Sequence, residues 1–402
     1  MATDGDEEPE RHASWVELFF DLVVVAGVGQ LAHLLQEDVS LGNVGLYVLL
    51  YLPFWTVWAG FTVYGNIAGD RARLPGMLLA MLGLGVMAAA VPGIRDEHTV
   101  VFVIAYVLLR WLAGSIWRRG QVVLDWPIAQ MGAGALPWIF SLWVAAPGRY
   151  WLWGIGLGQD MIVTLLASRD RMSRAAQKQM DQAHRRRRPN PQGPTELQEL
   201  SSDTPHLAER MGLFVIIVLG EGVIQIVDAT SGASWDTELV GLALGAFVLL
   251  VGVWALSLLH GFAGVPQLDA DAMPVRIAMA LHSVITAAIA ALAAGLGLTV
   301  AHAAGQTEGG VRWLLCAAIA AYFGVTTIAG LFTGSERRWV WGWGLPCTLV
   351  PVVLAAFDQH IPAVWLVWAL VATVGWQVLY VPSTPDAVSP LRRLGAWASD
   401  RP

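Results

Sequence analysis

Charge is scarce in this 402-residue chain: Asp, Glu, Lys and Arg make up 14% of it, against roughly 25% in soluble domains. With 56% hydrophobic residues and a mean hydropathy of +0.56, water is not its main solvent. Cysteine is nearly missing. The two present, Cys316 and Cys347, lie inside apolar runs, so neither a disulfide framework nor a thiolate metal site is expected. A secretory signal needs a basic stretch before a short apolar core, whereas Met1 to Glu10 is acidic and polar; the first apolar helix is therefore expected to be retained. No HExxH, DDxxD-like cluster, GxSxG, Walker loop or CxxC occurs. The common membrane proteases, prenyl-diphosphate enzymes, hydrolases and nucleotide-driven machines thus lack their signatures, and no cofactor or metal is implied.

What the chain does have is long apolar runs. A bilayer span needs about 20 mostly apolar residues, and that measure predicts helices near 15–36, 44–66, 75–93, 99–117, 121–145 and 150–168, then 207–230, 237–262, 274–302, 311–333, 339–357 and 361–381. The fold class expected is all-α: a polytopic membrane protein of about twelve transmembrane helices. Its parts are a tail (1–14), a first six-helix half (15–168), a basic linker (169–206), a second half (207–381) and a C-terminal tail (382–402). Trp15, Trp117, Trp151, Trp313, Trp339 and Trp365 fall near the ends of apolar runs, where an indole can bury its ring at headgroup level and wet its N–H.

Basic residues test this layout, because cytoplasmic loops retain positive charge. With the N-terminus inside, the inner loops hold Arg71, Arg73, Arg118, Arg119, the Arg169 to Arg188 cluster, Arg337, Arg338, Arg392 and Arg393, and the outer loops only Arg95, Arg149 and Arg312. One missed span would invert every later loop, so the alternation points to an even count with both ends in the cytoplasm of a cell-membrane protein. The Arg185 to Arg188 run then reads as a membrane-flanking loop. The expected partners are the lipid bilayer and a small-molecule or ion substrate, with no nucleic acid; an oligomeric state is not readable.

The halves also resemble each other. Leu18-Phe19, Gly27-Val28 and Gln30 recur as Leu213-Phe214, Gly222-Val223 and Gln225 at an offset of 195, and Val57-Trp58-Ala59 with Gly65 recurs as Val253-Trp254-Ala255 with Gly261. Pro127 and Pro137 interrupt the fifth segment of one half, and Pro346 and Pro351 that of the other. Six being even, the repeats would run parallel. Interrupted helices at matching positions either bend the helix or free carbonyls for a midplane site.

Two stretches carry a family resemblance. Ser14-Trp15-Val16-Glu17-Leu18-Phe19-Phe20-Asp21-Leu22-Val23-Val24-Val25, followed by Gln30-Leu31-Ala32-His33, resembles the opening signature of the bacterial low-temperature-requirement A (LtrA) family. Glu209-Arg210-Met211-Gly212-Leu213-Phe214-Val215-Ile216-Ile217-Val218-Leu219-Gly220-Glu221 resembles its second signature. The chain departs from that pattern in the small residues Ala26-Gly27-Val28-Gly29 and at Gly222. The resemblance implies a multi-pass bacterial membrane protein of a family named for a cold-growth phenotype, and supplies no mechanism.

Ionisable groups inside spans cost about 2.5–3.5 kcal/mol at mid-helix on insertion scales, and so mark candidate sites. Ser14 and Glu17 have capping-box spacing, while Asp21, one turn deeper, needs a cation or a proton. Arg110 is positioned to pair with Asp21 or Glu17, or to snorkel outward. Asp125, beside Trp126-Pro127, is expected to pair with Arg118 or Arg119. Glu221 falls near mid-span between Gly220 and Gly222, with Gln225 and Asp228 continuing its polar stripe; Asp160 follows Gly154, Gly156 and Gly158. His282 is a candidate partner of Glu221, and Tyr64 and His260 hold equivalent places before Gly65 and Gly261. Each also has a structural reading as cap, core residue or helix-packing contact. The function expected is a secondary transporter or permease using Asp21, Asp160 and Glu221 for proton or cation coupling. The alternative is an intramembrane enzyme acting on a lipid or isoprenoid-like substrate, with an Asp or Glu acid in a Trp-rich pocket.

Overall fold

The computed structural model describes residues 12–118, 121–129, 132–166, 174, 177–178, 198–266, 273–303, 308–333, 337–357 and 361–379. The Arg185 to Arg188 run and the C-terminal tail lie outside them. Helices dominate the described residues: α1 (Trp15–Glu37), α2 (Leu41–Ala68), α3 (Leu74–Ala90), α4 (Thr99–Ser115), α5 (Ala135–Ser141), α6 (Gly148–Leu166), α7 (Thr204–Ser231), α8 (Thr237–Trp254), α9 (Val275–Ala301), α10 (Gly309–Thr333), α11 (Leu345–Phe357) and α12 (Ala363–Leu379). Among the described residues, six helices are long and apolar enough to cross a membrane: α1, α2, α7, α8 with its extension to Leu259, α9 and α10.

Local chemistry sets the boundaries. Ser14 and Glu17 close the capping box that starts α1: Ser14 N and Oγ donate to Glu17 Oε2 at 2.8 and 2.9 Å, and Glu17 N reaches Ser14 Oγ at 3.4 Å. Asp236 caps α8 by accepting from Leu239 N at 2.8 Å. Two neighbouring side chains close equivalent gaps: a Cβ on Gly27 of α1 would strike the Phe54 ring, and one on Gly222 of α7 would lie 3.0 Å from Leu250. Glycine at both positions lets the Phe54 ring of α2 pack directly on the α1 backbone, and Leu250 of α8 on that of α7.

The segment 121–145 is not the continuous helix expected. Gln121–Val123 (β1) pairs in parallel with Gln198–Leu200 (β2), Pro127–Ala129 makes a 3₁₀ turn, and among the described residues of the segment only Ala135–Ser141 is α-helical. Pro127 biases Trp126 toward extended backbone, and Asp125 Oδ2 accepts from Ser202 N at 2.7 Å and Ser202 Oγ at 2.8 Å, which ties this strand to β2. Pro137 falls in the first turn of α5, where a missing N–H costs nothing. The corresponding segment near the C-terminus stays helical, through a π-helical turn (Val340–Gly344) into α11. Pro346 cannot donate to Gly342 O four residues back, and Trp376 Nε1 takes that carbonyl at 2.9 Å. There the freed carbonyl is satisfied by a neighbouring helix.

The expected helix 237–262 also ends differently. A π-helical turn (Ala255–Leu259) follows α8, and the chain then forms a hairpin of Gly261–Phe262 and Val265–Pro266. Ala263 and Gly264 adopt φ of 54° and 75°, the twist that a two-residue hairpin turn requires.

Two compact units make up the chain: Met1–Leu34, Val44–Ile217 and Pro274–Ala280 in the first; Leu35–Asn43, Val218–Met273 and Leu281–Pro402 in the second. In the first, α3 packs on α4 and α5 on α6; in the second, α8 packs on α12 and α10 on α11. Aromatic rings fill the first unit's core, with Trp138 and Trp153 stacked at 4.9 Å. Trp15, Trp151, Trp313 and Trp365 are exposed as a belt requires, but Trp339 is buried, 4.4 Å from Trp343.

Candidate functional site

Three polar clusters are built into these apolar helices. The first joins α1, α2 and α7 within the first unit. Arg210 and Asp21 are both wholly buried, and Arg210 Nη2 meets Asp21 Oδ1 at 2.6 Å while its Nη1 meets Glu17 Oε1 at 2.9 Å. Trp58 Nε1 donates to Asp21 Oδ1 at 2.7 Å, and Arg210 Nη2 lies 3.4 Å from the Glu17 carbonyl. One guanidinium thus serves two carboxylates, with its fork filled on both sides. Asp21 takes Arg210, not Arg110.

His206 completes this cluster. The Asn66 side chain is held both ways by one backbone residue: Asp203 N donates to its Oδ1 at 2.8 Å, and its Nδ2 donates to Asp203 O at 2.9 Å. That fixes which end of the amide is nitrogen. The same Nδ2 lies 3.0 Å from His206 Nδ1, so this ring nitrogen is the acceptor and the ring hydrogen belongs on Nε2. Nε2 faces Glu17 Oε2 at 3.7 Å.

The second cluster joins α4, α5 and α6, also in the first unit. Arg110, 6% exposed, and Asp160, 5% exposed, pair through Nη1–Oδ2 at 3.0 Å and Nη2–Oδ1 at 3.3 Å. A Cβ on Gly134 would collide with the Asp160 carboxylate, so glycine there admits the acid, and the Gly134 N–H reaches it too. Tyr106 presents its hydroxyl to Arg110. Beside Asp160 is a cavity of about 20 Å³, walled by Trp55, Thr56, Trp126, Leu157 and Thr164 among others. That is room for one water-sized guest. The broken segment 121–134 supplies part of this wall, through Trp126 and Ile128.

The third cluster lies within the second unit. Gln225 Nε2 donates to Glu221 Oε1 at 2.7 Å, and Gln36 Nε2 donates to Gln225 Oε1 at 2.7 Å and lies 3.4 Å from Ala294 O. Glu221 is half-buried and Gln225 is buried. Gly297 of α9 makes room for this chain, since a Cβ there would lie 2.9 Å from Gln36 Nε2. The partner of Glu221 is Gln225, not His282. The α9 residues facing this cluster are Ala293 to Gly297, about three turns from His282, or ~16 Å along the helix.

His282 is itself wholly buried, and its carbonyl accepts from Thr286 Oγ1 at 2.6 Å. Tyr64 and His260 do not share an environment. Tyr64 lies inside α2, accepts from Arg73 N at 3.0 Å and packs edge-on against Trp117, whereas His260 follows the π-helical turn at the hairpin's start. Of the expected site residues, then, Glu17 joins Asp21, Arg110 joins Asp160, and Glu221 joins Gln225. Arg210, His206 and Trp58 were not anticipated. The signal for Arg210 was present: two acids one turn apart in α1 require a cation, and Arg210 stands in the first turns of another apolar helix.

Apolar helices long enough to cross a bilayer, with ion pairs sealed between them, define an all-α membrane protein. Residues 12–378 match the family described as bacterial low temperature requirement A protein (LtrA), and the chain belongs to that family. It is similar to the uncharacterized protein RA0937 of Rhizobium meliloti (strain 1021), with 29% identity over 230 residues, covering 54% of this chain and 51% of that protein. The match spans about half the length of that curated relative. No solved structure matches the chain.

Proposed function

We propose that this LtrA-family protein is a secondary transporter or permease of the cell membrane, with twelve spans in two six-helix halves and both ends in the cytoplasm. Asp21, Asp160 and Glu221 serve it in proton or cation coupling. The observation that carries this reading is the Arg110–Asp160 pair, buried between α4 and α6 and bordered by a water-sized cavity. Ion pairs in an apolar slab are costly to bury and are often no more stabilising than well-packed apolar side chains. Simple helix adhesion gains nothing from a void on the pair's flank, while a carboxylate that must gain and lose a partner needs one. The matching approaches at Gly27 and Gly222 support the pseudo-repeat.

The enzyme reading finds its aromatic wall here, in Trp55 and Trp126. The cavity of about 20 Å³ beside Asp160 gives no room to an isoprenoid or acyl chain, however, and the apolar cavity of about 450 Å³ between α3 and α4 that could take one, lined by Leu79, Leu82 and Leu108 among others, has no acid in its wall, so transport is the better supported function. The test is purified protein in liposomes carrying a pH-sensitive dye, challenged with a broad substrate panel under imposed proton and sodium gradients. Gradient-dependent flux that is lost in Asp160→Asn or Glu221→Gln is the expected result. The absence of flux across the panel, with both variants behaving as wild type in cells, overturns it.

A further inference from the structure

The apolar cavity between α3 and α4 carries charge of opposite sign at its two ends. Within the first unit these helices run antiparallel: a Cβ on Gly76 would lie 3.6 Å from Ile116, and one on Gly83 would strike Leu109. That register puts Arg73, the residue before α3, level with Arg118, just past the end of α4, and both are exposed. Arg73 N donates to Tyr64 Oη at 3.0 Å, and the Tyr64 ring packs against Trp117 at 5.4 Å, which holds the two arginines' backbones at one end of the helix pair. Among the described residues neither arginine pairs with a carboxylate. The stretches 69–73 and 116–120 add Arg71 and Arg119 against a single acid, Asp70. At the opposite end, the turn that joins the helices exposes Asp96 and Glu97 beside Arg95.

We propose that this groove binds one anionic phospholipid, its phosphate at Arg73 and Arg118 and one acyl chain along the cleft between α3 and α4. Leu79 and Leu82 of α3 and Ile104 and Leu108 of α4 are exposed along the cleft, and the small Gly83 and Ala105 leave the space between them. Its volume of about 450 Å³ falls within the roughly 300–1,000 Å³ of small-molecule sites. No charged side chain lines it, so an acyl chain suits it and a polar solute does not. Leu79 lies ~9 Å along the helix axis from Arg73, close to the ~5–8 Å of headgroup layer on each side of a bilayer. A phosphate at the arginines therefore leaves its acyl chain at the mouth of the cleft. Guanidinium groups match phosphate oxygens in charge and geometry. A zwitterionic headgroup would bring its own cation to the arginines, whereas an anionic one brings none. The acids at the far end set which way round the lipid lies. The site needs α3 and α4 to lie in the bilayer, as the twelve-span layout has them, and needs nothing of transport.

Native mass spectrometry of the full chain tests this, in mixed micelles that supply dioleoylphosphatidylglycerol and dioleoylphosphatidylcholine in equal amounts. Wild-type protein should retain one phosphatidylglycerol in preference to phosphatidylcholine. In Arg73→Gln/Arg118→Gln the preference should fall by about twentyfold, or roughly fivefold for each arginine at the membrane surface. Arg392→Gln/Arg393→Gln, an equal loss of charge in the C-terminal tail, should keep it. Ala105→Phe fills the cleft and should lower retention of both lipids. Dihexanoylphosphatidylglycerol, with the same headgroup on short chains, should not displace the dioleoyl form at equal concentration. Equal binding of the two dioleoyl lipids by wild type overturns the proposal, as does an unchanged preference in Arg73→Gln/Arg118→Gln. Full retention by a folded Ala105→Phe protein puts the lipid elsewhere and overturns it too. Should Ala105→Phe not fold, the two arginine pairs decide alone. A lipid-free dimer in place of the lipid-bound monomer would assign the groove to a second copy of the chain and sink the lipid site. None of these results bears on flux, so the site and the transporter reading fail separately.

Discussion

Arg210 and Asp21 are separated by 189 positions in the chain and by 2.6 Å in space. The guanidinium that closes on Asp21 also closes on Glu17, so one cation from α7 holds the first two turns of α1. Both family signatures therefore meet in a single ion cluster: the first supplies the acids and the second the base. Trp58 extends it into α2, where its ring packs against Phe214 at 4.3 Å.

Removing the shared cation should cost more than removing either acid. Arg210→Gln takes the shared counter-charge away from two buried carboxylates, and a loss of about 3–5 kcal/mol is expected. Asp21→Asn leaves Arg210 still paired to Glu17 and should cost clearly less. Thermal unfolding in detergent ranks the variants, and an Asp21→Asn protein less stable than Arg210→Gln contradicts the shared-cation arrangement.

Glu17 has two jobs, which substitution can separate. Ser14→Ala removes the hydroxyl of the capping box and should cost about 1 kcal/mol. Glu17→Gln keeps an acceptor for the Ser14 amide but loses the charge facing Arg210 and His206. If Glu17 is a cap and no more, Glu17→Gln will melt with the wild type and above Ser14→Ala; if the ion pair matters, Glu17→Gln will melt below Ser14→Ala.

The helices were legible because hydropathy over some twenty residues averages away local exceptions, and the exceptions were missed for the same reason. From 121 to 145 the average stays apolar, yet Pro127, Gly132 and Gly134 break the helix, and the Asp125–Ser202 contact ties the strand before them to residues far along the chain. Asp21, Asp160 and Glu221 stood out as acids within spans. Their partners did not, because partner choice depends on which helix faces which. Arg110 is as suitable a cation for Asp21 as Arg210 on sequence grounds, and only the packing of α4 against α5 and α6 assigns it to Asp160. His282 and Glu221 looked like partners by residue type, but the part of α9 that reaches Gln225 lies about three turns away.

The two glycines that flank Glu221 on α7 should respond in opposite ways. A Cβ at Gly222 would lie 3.0 Å from Leu250 and 3.3 Å from Ala293, while one at Gly220 meets nothing within 4 Å. Gly222→Ala is expected to cost about 1–3 kcal/mol by overpacking. Gly220→Ala should be neutral or gain up to about 1 kcal/mol in helix propensity. Equal melting temperatures for the two would show that Leu250 does not press on Gly222 as closely as described.

Glu221 differs from Asp21 and Asp160 in what holds it: a glutamine amide in place of a guanidinium. A half-buried carboxyl with no counter-ion among the described residues, in apolar surroundings, is the kind of acid that an apolar carbodiimide modifies, whereas acids locked onto arginine are shielded. Dicyclohexylcarbodiimide treatment followed by peptide mass spectrometry should therefore label Glu221 in preference to the other two. Gln225→Leu removes the donor that holds Glu221 and the acceptor that holds Gln36. Labelling should then rise, and stability should fall by about 1–3 kcal/mol for the two hydrogen bonds lost. Labelling of Asp160 ahead of Glu221 in the wild-type protein would mean that the Arg110 pair opens readily at rest, and that Glu221 is the better protected acid.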